Sequence, residues 1–481
     1  MRIFFLFLIT LILLVSIGQA VATAKPQFIL VAIIGLVLSA LTIMNLEWGL
    51  YILIFIIPFT LQYRMGKTLA AGTDDIFLIL LIFSWLANRA RTREQIFVDT
   101  PLNWPFISFF LIGTISLTQL ISNAPQFWVN YGILHLFRFF EYVFIYFIVV
   151  SCIKELPQVR KFTIAFFINV GVVAAIQIVQ NIIGGELAPG VFYAKNTVVH
   201  YGVSTFRSNA ILGTFYCFAL SIALGLIVTI RSVGTRAVLI IFSIVISFTL
   251  FNTFSRAAYV GIIVSIFIIA VLKERRVFIL FLALLILSPI FMQTAVLERI
   301  AMTFARPQKG IQLDPLYFEQ DKRRLPGETY APIVELPRAV QLDPSALVRL
   351  VIWRRAMEIF MENPIFGIGW WGGRYVLGTE AHSQYWAYLV EVGIFGFGIF
   401  LWLMIRIFRI SLWVKNNASD DFAEGLGLGY VAGLAGILTT CLFSESLEAF
   451  RMLGPLWFMT ALVVSARNIL LNQKIPLQDL R

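Results

Sequence analysis

The sequence predicts an all-α, polytopic integral membrane protein. Three observations carry that prediction: the composition, the recurrence of long apolar runs, and the way basic residues gather between them. Of 481 residues, 59% are hydrophobic and only 13% charged, a balance typical of chains solvated by lipid rather than water. A helix needs about 20 mostly apolar residues to cross a bilayer core. Runs of that kind fall at 4–23, 27–45, 47–63, 75–89, 102–121, 132–153, 161–184, 209–230, 236–253, 257–272, 277–295, 384–406, 424–443 and 452–470. The expectation is therefore about 14 transmembrane helices, a count good to within two, so that 12 is allowed. The run at 75–89 is short against the range of about 17–25 residues. Runs 27–45 and 47–63 are nearly continuous and suggest a tight hairpin or a re-entrant pair.

The net charge of +11 would raise nucleic acid as a partner for a soluble protein. Here the basic residues sit in short loops, and topology explains them, so no nucleic acid is expected. Arg89, Arg91 and Arg93 form one cluster, and Lys154, Arg160 and Lys161 another. Arg231 with Arg236, then Lys273, Arg275 and Arg276, then Arg406, Arg409 and Lys415 follow. Short basic loops stay cytoplasmic under the positive-inside bias. The span count puts every one of these clusters on one side, together with both termini. Met1-Arg2 and the apolar run behind it read as an uncleaved signal anchor. Cys152, Cys217 and Cys441 lie in or beside apolar spans with neither metal spacing nor a disulfide framework, and read as packing residues.

Three regions follow: transmembrane helices over 1–295, a large non-cytoplasmic loop over 296–383, and C-terminal transmembrane helices over 384–481. The same topology sends Arg207, Arg256, Arg349 and His382 to the non-cytoplasmic side, against the bias. Arg256 sits in so short a turn, Asn252-Thr253-Phe254-Ser255-Arg256, that it must lie at the membrane boundary. A charge there is costly unless it faces a cavity or a partner. The first part of the long loop holds Pro307, Gly310, Pro315, Pro326, Gly327, Pro332 and Pro337 and reads as irregular chain. In the second part, Asp343 or Ser345 can cap a helix running to about Met361, stopped by Asn363-Pro364. Ala346, Leu350, Trp353, Met357 and Phe360 share one face at helical spacing, with Arg354, Arg355, Glu358 and Glu362 elsewhere. Such an amphipathic helix suits either the membrane surface or the outer ends of the spans.

The chain carries no Walker loop, no HExxH, no CxxC and no GxSxG, and no regular internal repeat. The glycines 367, 369, 372 and 373 follow a surface helix rather than a strand, so they read as a turn and not a phosphate loop. Of three histidines, His135 lies inside a span near Arg138 and Glu141, and His200 in a loop; any one alone is more often structural than catalytic. His382 stands out at the outer end of a span that also holds Glu391, an intramembrane acid. Glu391 either takes part in binding or pairs with an arginine to keep the bundle in register. Gly393 and Gly396 downstream would let another helix approach. If a lipid-linked diphosphate enters this outer region, arginines can hold its oxygens by charge-assisted forks. A neutral histidine can then accept the proton of an attacking hydroxyl. Those parts would serve glycosyl transfer with no metal and no cofactor. A carboxylate pair suited to hydrolysis is not evident in the sequence.

The order Arg349…Trp353…Pro364-Ile365-Phe366-Gly367-Ile368-Gly369…Ala381-His382-Ser383…Glu391-Val392-Gly393-Ile394 resembles the O-antigen ligase/polymerase superfamily. His382 and Gly393 match its histidine–ten residues–glycine pattern. Phe254-Ser255-Arg256-Ala257 resembles the family's Ser-Arg motif, with Val260 where leucine is usual. Arg207-Ser208-Asn209-Ala210-Ile211-Leu212-Gly213 resembles its earlier arginine segment, without the usual proline-asparagine pair. The resemblance covers roughly residues 200–400. It implies inverting, metal-independent transfer of a glycan from undecaprenyl diphosphate to an acceptor glycan or glycolipid. It also implies that Arg256 and Arg207 bind the diphosphate and that His382 acts on the acceptor hydroxyl. Arg349 is added from its place on the surface helix, and Glu391 from its depth.

The expected location is a bacterial inner membrane, with the site facing the periplasm or cell exterior and other polysaccharide assembly proteins as partners. The acceptor separates two versions, an O-antigen ligase acting on lipid A–core and a polymerase extending a surface polysaccharide; the second is slightly favoured. The rival class is a multi-pass transporter of a small solute or ion, for which Arg138, Glu141 and Glu391 in spans would suit a path. Two related halves, the usual mark of that class, are not visible in the sequence.

Overall fold

A computed structural model describes residues 35, 37–60, 62–65, 69–185, 193–195, 200–206, 208–273 and 344–474. The expected spans at 4–23 and 277–295, the start of 27–45, Arg207 and the proline-rich part of the long loop lie outside the described residues. The described chain is helical apart from two short hairpins, which the apolar runs do not foretell. Residues 37–44 are helical and end at Asn45, whose side chain caps α1 (Leu46–Ile56) by accepting from the Glu47 amide. A single 3-10 turn (Ile57–Phe59) leads into strands β1 (Gln62–Met65) and β2 (Leu69–Gly72), paired antiparallel. Then come α2 (Thr73–Thr92), α3 (Asn103–Asn123), α4 (Gln126–Cys152) and α5 (Leu156–Ile183). A second hairpin, β3 (Tyr193–Lys195) with β4 (His200–Gly202), precedes α6 (Asn209–Thr229), α7 (Val233–Phe251) and α8 (Arg256–Leu272). The C-terminal part holds α9 (Pro344–Glu362), α10 (Gly373–Leu377), α11 (Gln384–Asn417), α12 (Asp421–Thr440) and α13 (Phe450–Lys474).

Eight of these helices, α3 to α7 and α11 to α13, are long and apolar enough to cross a membrane, and α1 with its 3-10 turn and α8 are shorter apolar helices. The 21 residues of α6 give about 30 Å of helix, the thickness of a bilayer core. α2 is 20 residues long, longer than the apolar run at 75–89. Asp74 and Asp75 stand in its first turn and Arg89 and Arg91 in its last, so the charges that trimmed the run also complement the helix dipole.

α6 and α12 form the centre. They approach closely because α12 repeats glycine every fourth residue, at Gly425, Gly429 and Gly433. A Cβ on Gly225 of α6 would lie 2.4 Å from the Gly429 Cα, and one on Gly261 of α8 would lie 3.0 Å from the Gly436 carbonyl oxygen. In lipid there is little hydrophobic drive between helices, so such backbone-to-backbone packing holds a bundle together. Cys217 and Cys441 are buried and Cys152 partly so, all three as free thiols.

Among the described residues the basic clusters gather at one end. Asp75–Arg138 (2.9 Å) and Trp85–Ser151 (2.8 Å) hold α2 parallel to α4, so Arg89 and Arg91 finish beside Lys154. Arg160 pairs with Asp420 (3.3 Å), Arg231 with Asp421 (3.5 Å) and Lys273 with Glu424. Three cationic loops are thus pinned to the N-terminus of α12, where acids also complement the helix dipole. Arg406 donates to the Pro101 carbonyl at the same end.

α9 confirms its expected limits but turns a different face inward. Val348, Ile352, Ala356 and Ile359 are buried against Leu377, Ala387 and Val390, with Trp353 partly buried beside them. Leu350 and Met357 are each 47% exposed. The helix carries apolar residues on two sides, so spacing alone could not choose between them; the docking on α10 and α11 does.

Candidate functional site

The site end is built around a break in α11. Gly393 has φ 64 and ψ −168 inside the helix, a conformation essentially limited to glycine. The break frees carbonyls of the preceding turn, and the segment 364–369 fills the gap. The Ile368 amide donates to the Val390 carbonyl (2.9 Å), the Gly369 amide to the Glu391 carbonyl (3.1 Å), and the Ile394 amide to the Pro364 carbonyl (2.8 Å). Ser116 of α3 also donates to the Glu391 carbonyl. A Cβ at Gly393 would lie 2.3 Å from the Ile365 oxygen, and one at Gly367 would lie 2.4 Å from the Glu391 carbonyl carbon. The expected close approach at Gly393 is therefore made by this loop and not by another helix. At Gly396 the nearest atoms are the side chains of Val392 and, farther off, Ile112. The Ile368 and Gly369 amides point into the break, in keeping with a turn rather than a phosphate cradle.

Beyond the wedge, Trp370 is buried against Phe109, Phe139 and Tyr388, and Trp371 and Arg374 follow, half-buried, at the end of the bundle. Arg374 is the hub of the site. Its guanidinium bonds Glu380 (3.0 Å), Glu445 (3.0 Å) and Glu448 (3.4 Å) and lies 4.3 Å over the Trp371 ring. Glu445 and Glu448 come from the short connection between α12 and α13. The second oxygen of Glu445 accepts the His382 amide (3.1 Å), and Gln384 bridges to Glu448 (3.3 Å) and to the Leu447 amide (3.0 Å). From the other side the Trp353 indole of α9 donates to the Ala381 carbonyl (3.0 Å). His382 is thus gripped on both flanks, in a left-handed conformation (φ 52) that is uncommon for histidine.

Electrostatics follow from that geometry. Burial holds the His382 imidazole below its ordinary value; the Glu380 carboxylate opposes this, and the Arg349 and Arg374 cations add to it. The His382 imidazole is therefore held toward its neutral form. Burial and the neighbouring Glu448 push Glu445 well above the usual carboxylate range. Burial, then Glu391, pushes Glu448 up to about 8. Burial works against the charge on Arg374, but Glu445, Glu380 and Glu448 outweigh it and keep the guanidinium ionised. One buried cation faces two buried carboxyls, so this trio retains a proton near neutral pH.

The Arg256 turn is tied to the same end. Ser255 caps α8 by accepting from the Ala258 amide, and Phe254 before it is left-handed (φ 55). The turn abuts the first turn of α6: a Cβ on Gly213 would lie 2.7 Å from the Ala258 Cβ and 3.0 Å from the Ser255 Cβ. The next residue, Thr214, shares its hydroxyl with Thr440 and Ser446 (both 3.1 Å). A continuous path therefore runs from the Arg256 turn through α6 to the connection that bears Glu445, and on to His382. Arg349 is close enough on α9 to act on His382. Arg354 and Arg355 both pair with the exposed Glu358 instead. Glu391 is buried, and its carboxylate accepts the Gly373 amide (3.3 Å), holding the turn that presents Arg374. Arg138, a mark of the transporter reading, is paired with Asp75.

Sequence reasoning misses Arg374, Glu445 and Glu448, and with them the buried carboxylate pair. One signal was available: two acids within four residues, Glu445 and Glu448, lie in a loop between two apolar spans on the side opposite the basic clusters.

The fold and this site define a class: a multi-pass helical membrane protein with an arginine–carboxylate–histidine cluster at the end opposite its basic belt. The O-antigen ligase family model matches residues 241–401, a segment that contains the Arg256 turn, α9, Arg374, His382 and the Gly393 break. Along nearly its whole length the chain is also similar to the teichuronic acid biosynthesis protein TuaE of Bacillus subtilis (strain 168), with 22% identity over 482 residues covering 97% of this chain and 88% of that protein. Together these matches support a glycosyltransferase-like role in polysaccharide assembly.

Proposed function

We propose that this protein transfers a glycan from an undecaprenyl-diphosphate carrier to a sugar hydroxyl, with inversion. The acceptor oxygen bonds to the anomeric carbon as the bond from that carbon to the diphosphate oxygen breaks. The bonding electrons leave with the diphosphate, and the hydroxyl proton passes to the neutral His382 imidazole. Arg256 and Arg207 hold the diphosphate, and Arg349 adds charge beside His382. These cations meet the negative charge that develops on the leaving group, the task a metal would otherwise perform. Glu391 acts by holding the Gly373 turn rather than by touching substrate. The observation that carries the reading is the neutral, doubly anchored His382 in the matched domain, flanked by two cations. The similarity to a teichuronic acid biosynthesis protein leans the acceptor toward a growing polysaccharide. On this reading the protein lies in a bacterial plasma membrane with both termini cytoplasmic and the site outside.

The test is glycan analysis of a deletion strain carrying either the parent or His382→Ala. General-base loss costs about 10²–10⁴-fold in rate, so the variant should accumulate single lipid-linked repeats at normal protein level. Normal polymer would remove His382 as the base. Intact lipid-linked polymer that never reaches lipid A–core would instead mean a ligase. Ser122→Cys, at the exposed C-terminal end of α3, should label from outside intact cells; labelling only after lysis would invert the orientation.

A further inference from the structure

A row of aromatic rings leads away from Arg374 along the outer face. Trp128, Tyr131 and His135 recur at helical spacing on α4, so they share one stripe. The stripe meets the wedge and α10. Trp128 lies 5.8 Å from Tyr375, Tyr131 lies 6.2 Å from His135, and His135 stacks on Trp371 at 3.5 Å with the planes 8° apart. Arg374 covers the far side of Trp371. Each of the five rings is only half-buried, although fully apolar core was available on the same helices.

A packing role would leave no unmet polar demand, yet two buried polar atoms in the row and beside it have no hydrogen-bond partner among the described residues. They are His135 Nδ1 and Arg374 Nε. Buried polar groups are normally satisfied. Aromatic faces together with unsatisfied acceptors and donors match one ligand chemistry. A pyranose offers a flat C–H face to the rings and a rim of hydroxyls to the polar atoms.

We infer that Trp128, Tyr131 and Tyr375, backed by the stacked His135 and Trp371, form a shelf that binds the sugar units of a glycan and leads them toward His382. The path is continuous: Trp371 touches Arg374, Arg374 bonds Glu445, and Glu445 bonds the His382 amide. The inference deepens the transfer reading above and rests on it for the identity of the glycan. The sugar could belong to the acceptor chain or to the donor's repeat, since the recognition chemistry is shared.

The probe is an oligosaccharide cut from the polymer the host cell makes, freed of lipid. Its binding to the full chain in detergent is followed by saturation-transfer NMR, in the parent, in His382→Ala, and in Trp128→Ala and Tyr375→Ala singly and together. Loss of one ring should weaken binding by up to about tenfold, with Trp128→Phe and Tyr375→Phe restoring it. Binding should persist in His382→Ala, so the shelf and the transfer chemistry can fail separately. In steady-state assays, a raised KM for the lipid-free acceptor with unchanged kcat assigns the shelf to the acceptor. A raised KM for the lipid-linked donor assigns it to the donor. Unchanged binding and unchanged KM values in the doubly substituted, folded protein overturn the shelf.

Discussion

The two ends of the bundle handle charge in opposite ways. At the basic end three cations each have their own acid at the cap or in the first turn of α12: Arg160 with Asp420, Arg231 with Asp421, Lys273 with Glu424. At the other end a single arginine serves three acids, two of them nearly buried. Backbone strain divides in the same way. Phe254, Trp371 and His382 are left-handed at the site end, whereas at the basic end Arg93 is left-handed merely as the residue that stops α2. Exposed one-to-one pairs contribute little energy. Buried, shared charge and strained backbone are costly, and persist where surrounding structure holds them for a purpose.

That contrast can be broken at four points. The largest effect belongs to Arg374→Ala, which strands Glu445 and Glu448. Breaking a buried pair costs about 3–5 kcal/mol, so the variant should melt many degrees lower in detergent and transfer no glycan. Parental stability would mean that the trio is not coupled as its geometry indicates. Next is Gly393→Ala, which needs a strained backbone worth about 1–3 kcal/mol and drives a methyl into the Ile365 carbonyl. Polymer should be lost while the bundle still folds. Gly398→Ala, where a Cβ meets nothing within 4 Å, should be silent. Equal polymer from both variants would remove the wedge from the site.

A subtler outcome is expected of Arg349→Met. On the proposed mechanism His382 accepts a proton only when neutral, so transfer rises as pH climbs through its pKa. The Arg349 cation helps keep that pKa low, so its removal should move the acid limb of the pH–rate profile to higher pH, besides lowering the alkaline plateau by whatever its charge contributes there. An unmoved limb would separate Arg349 from His382. Smallest of all is Arg231→Ala at the basic end. Its partner is 3.5 Å away and its own side chain is 89% exposed, so about 0.2–1 kcal/mol is at stake. Polymer yield should equal the parent's, and a large loss would make the basic end more than scaffold.

The membrane-spanning helical character and the gathering of basic loops at one end were legible in the amino-acid order alone. Hydropathy marks spans because each residue reports its own solvent, and basic loops report sidedness in the same local way. The limits of α9 were legible because a cap and Asn363-Pro364 are local signals. Its buried face was not, since both sides of the helix are apolar and only the contact with Val390 and Leu377 decides. The matched motif gave His382 and Gly393 without giving the reason for their spacing: the helical turns after His382 end in a break that must receive the wedge. The Arg374 hub joins residues 71 and 74 positions apart. Nothing in a single sequence links a glycine turn to the last connection in the chain.

That linkage sets when the protein can first act during its own synthesis. Glu445 is residue 445 of 481, and the connection holding it is fixed only once α13 has entered the membrane. Until then the ribosome has made His382, its wedge and the arginines, but nothing grips the His382 amide. A nascent or prematurely stopped chain would sit in the membrane with the His382 backbone unheld.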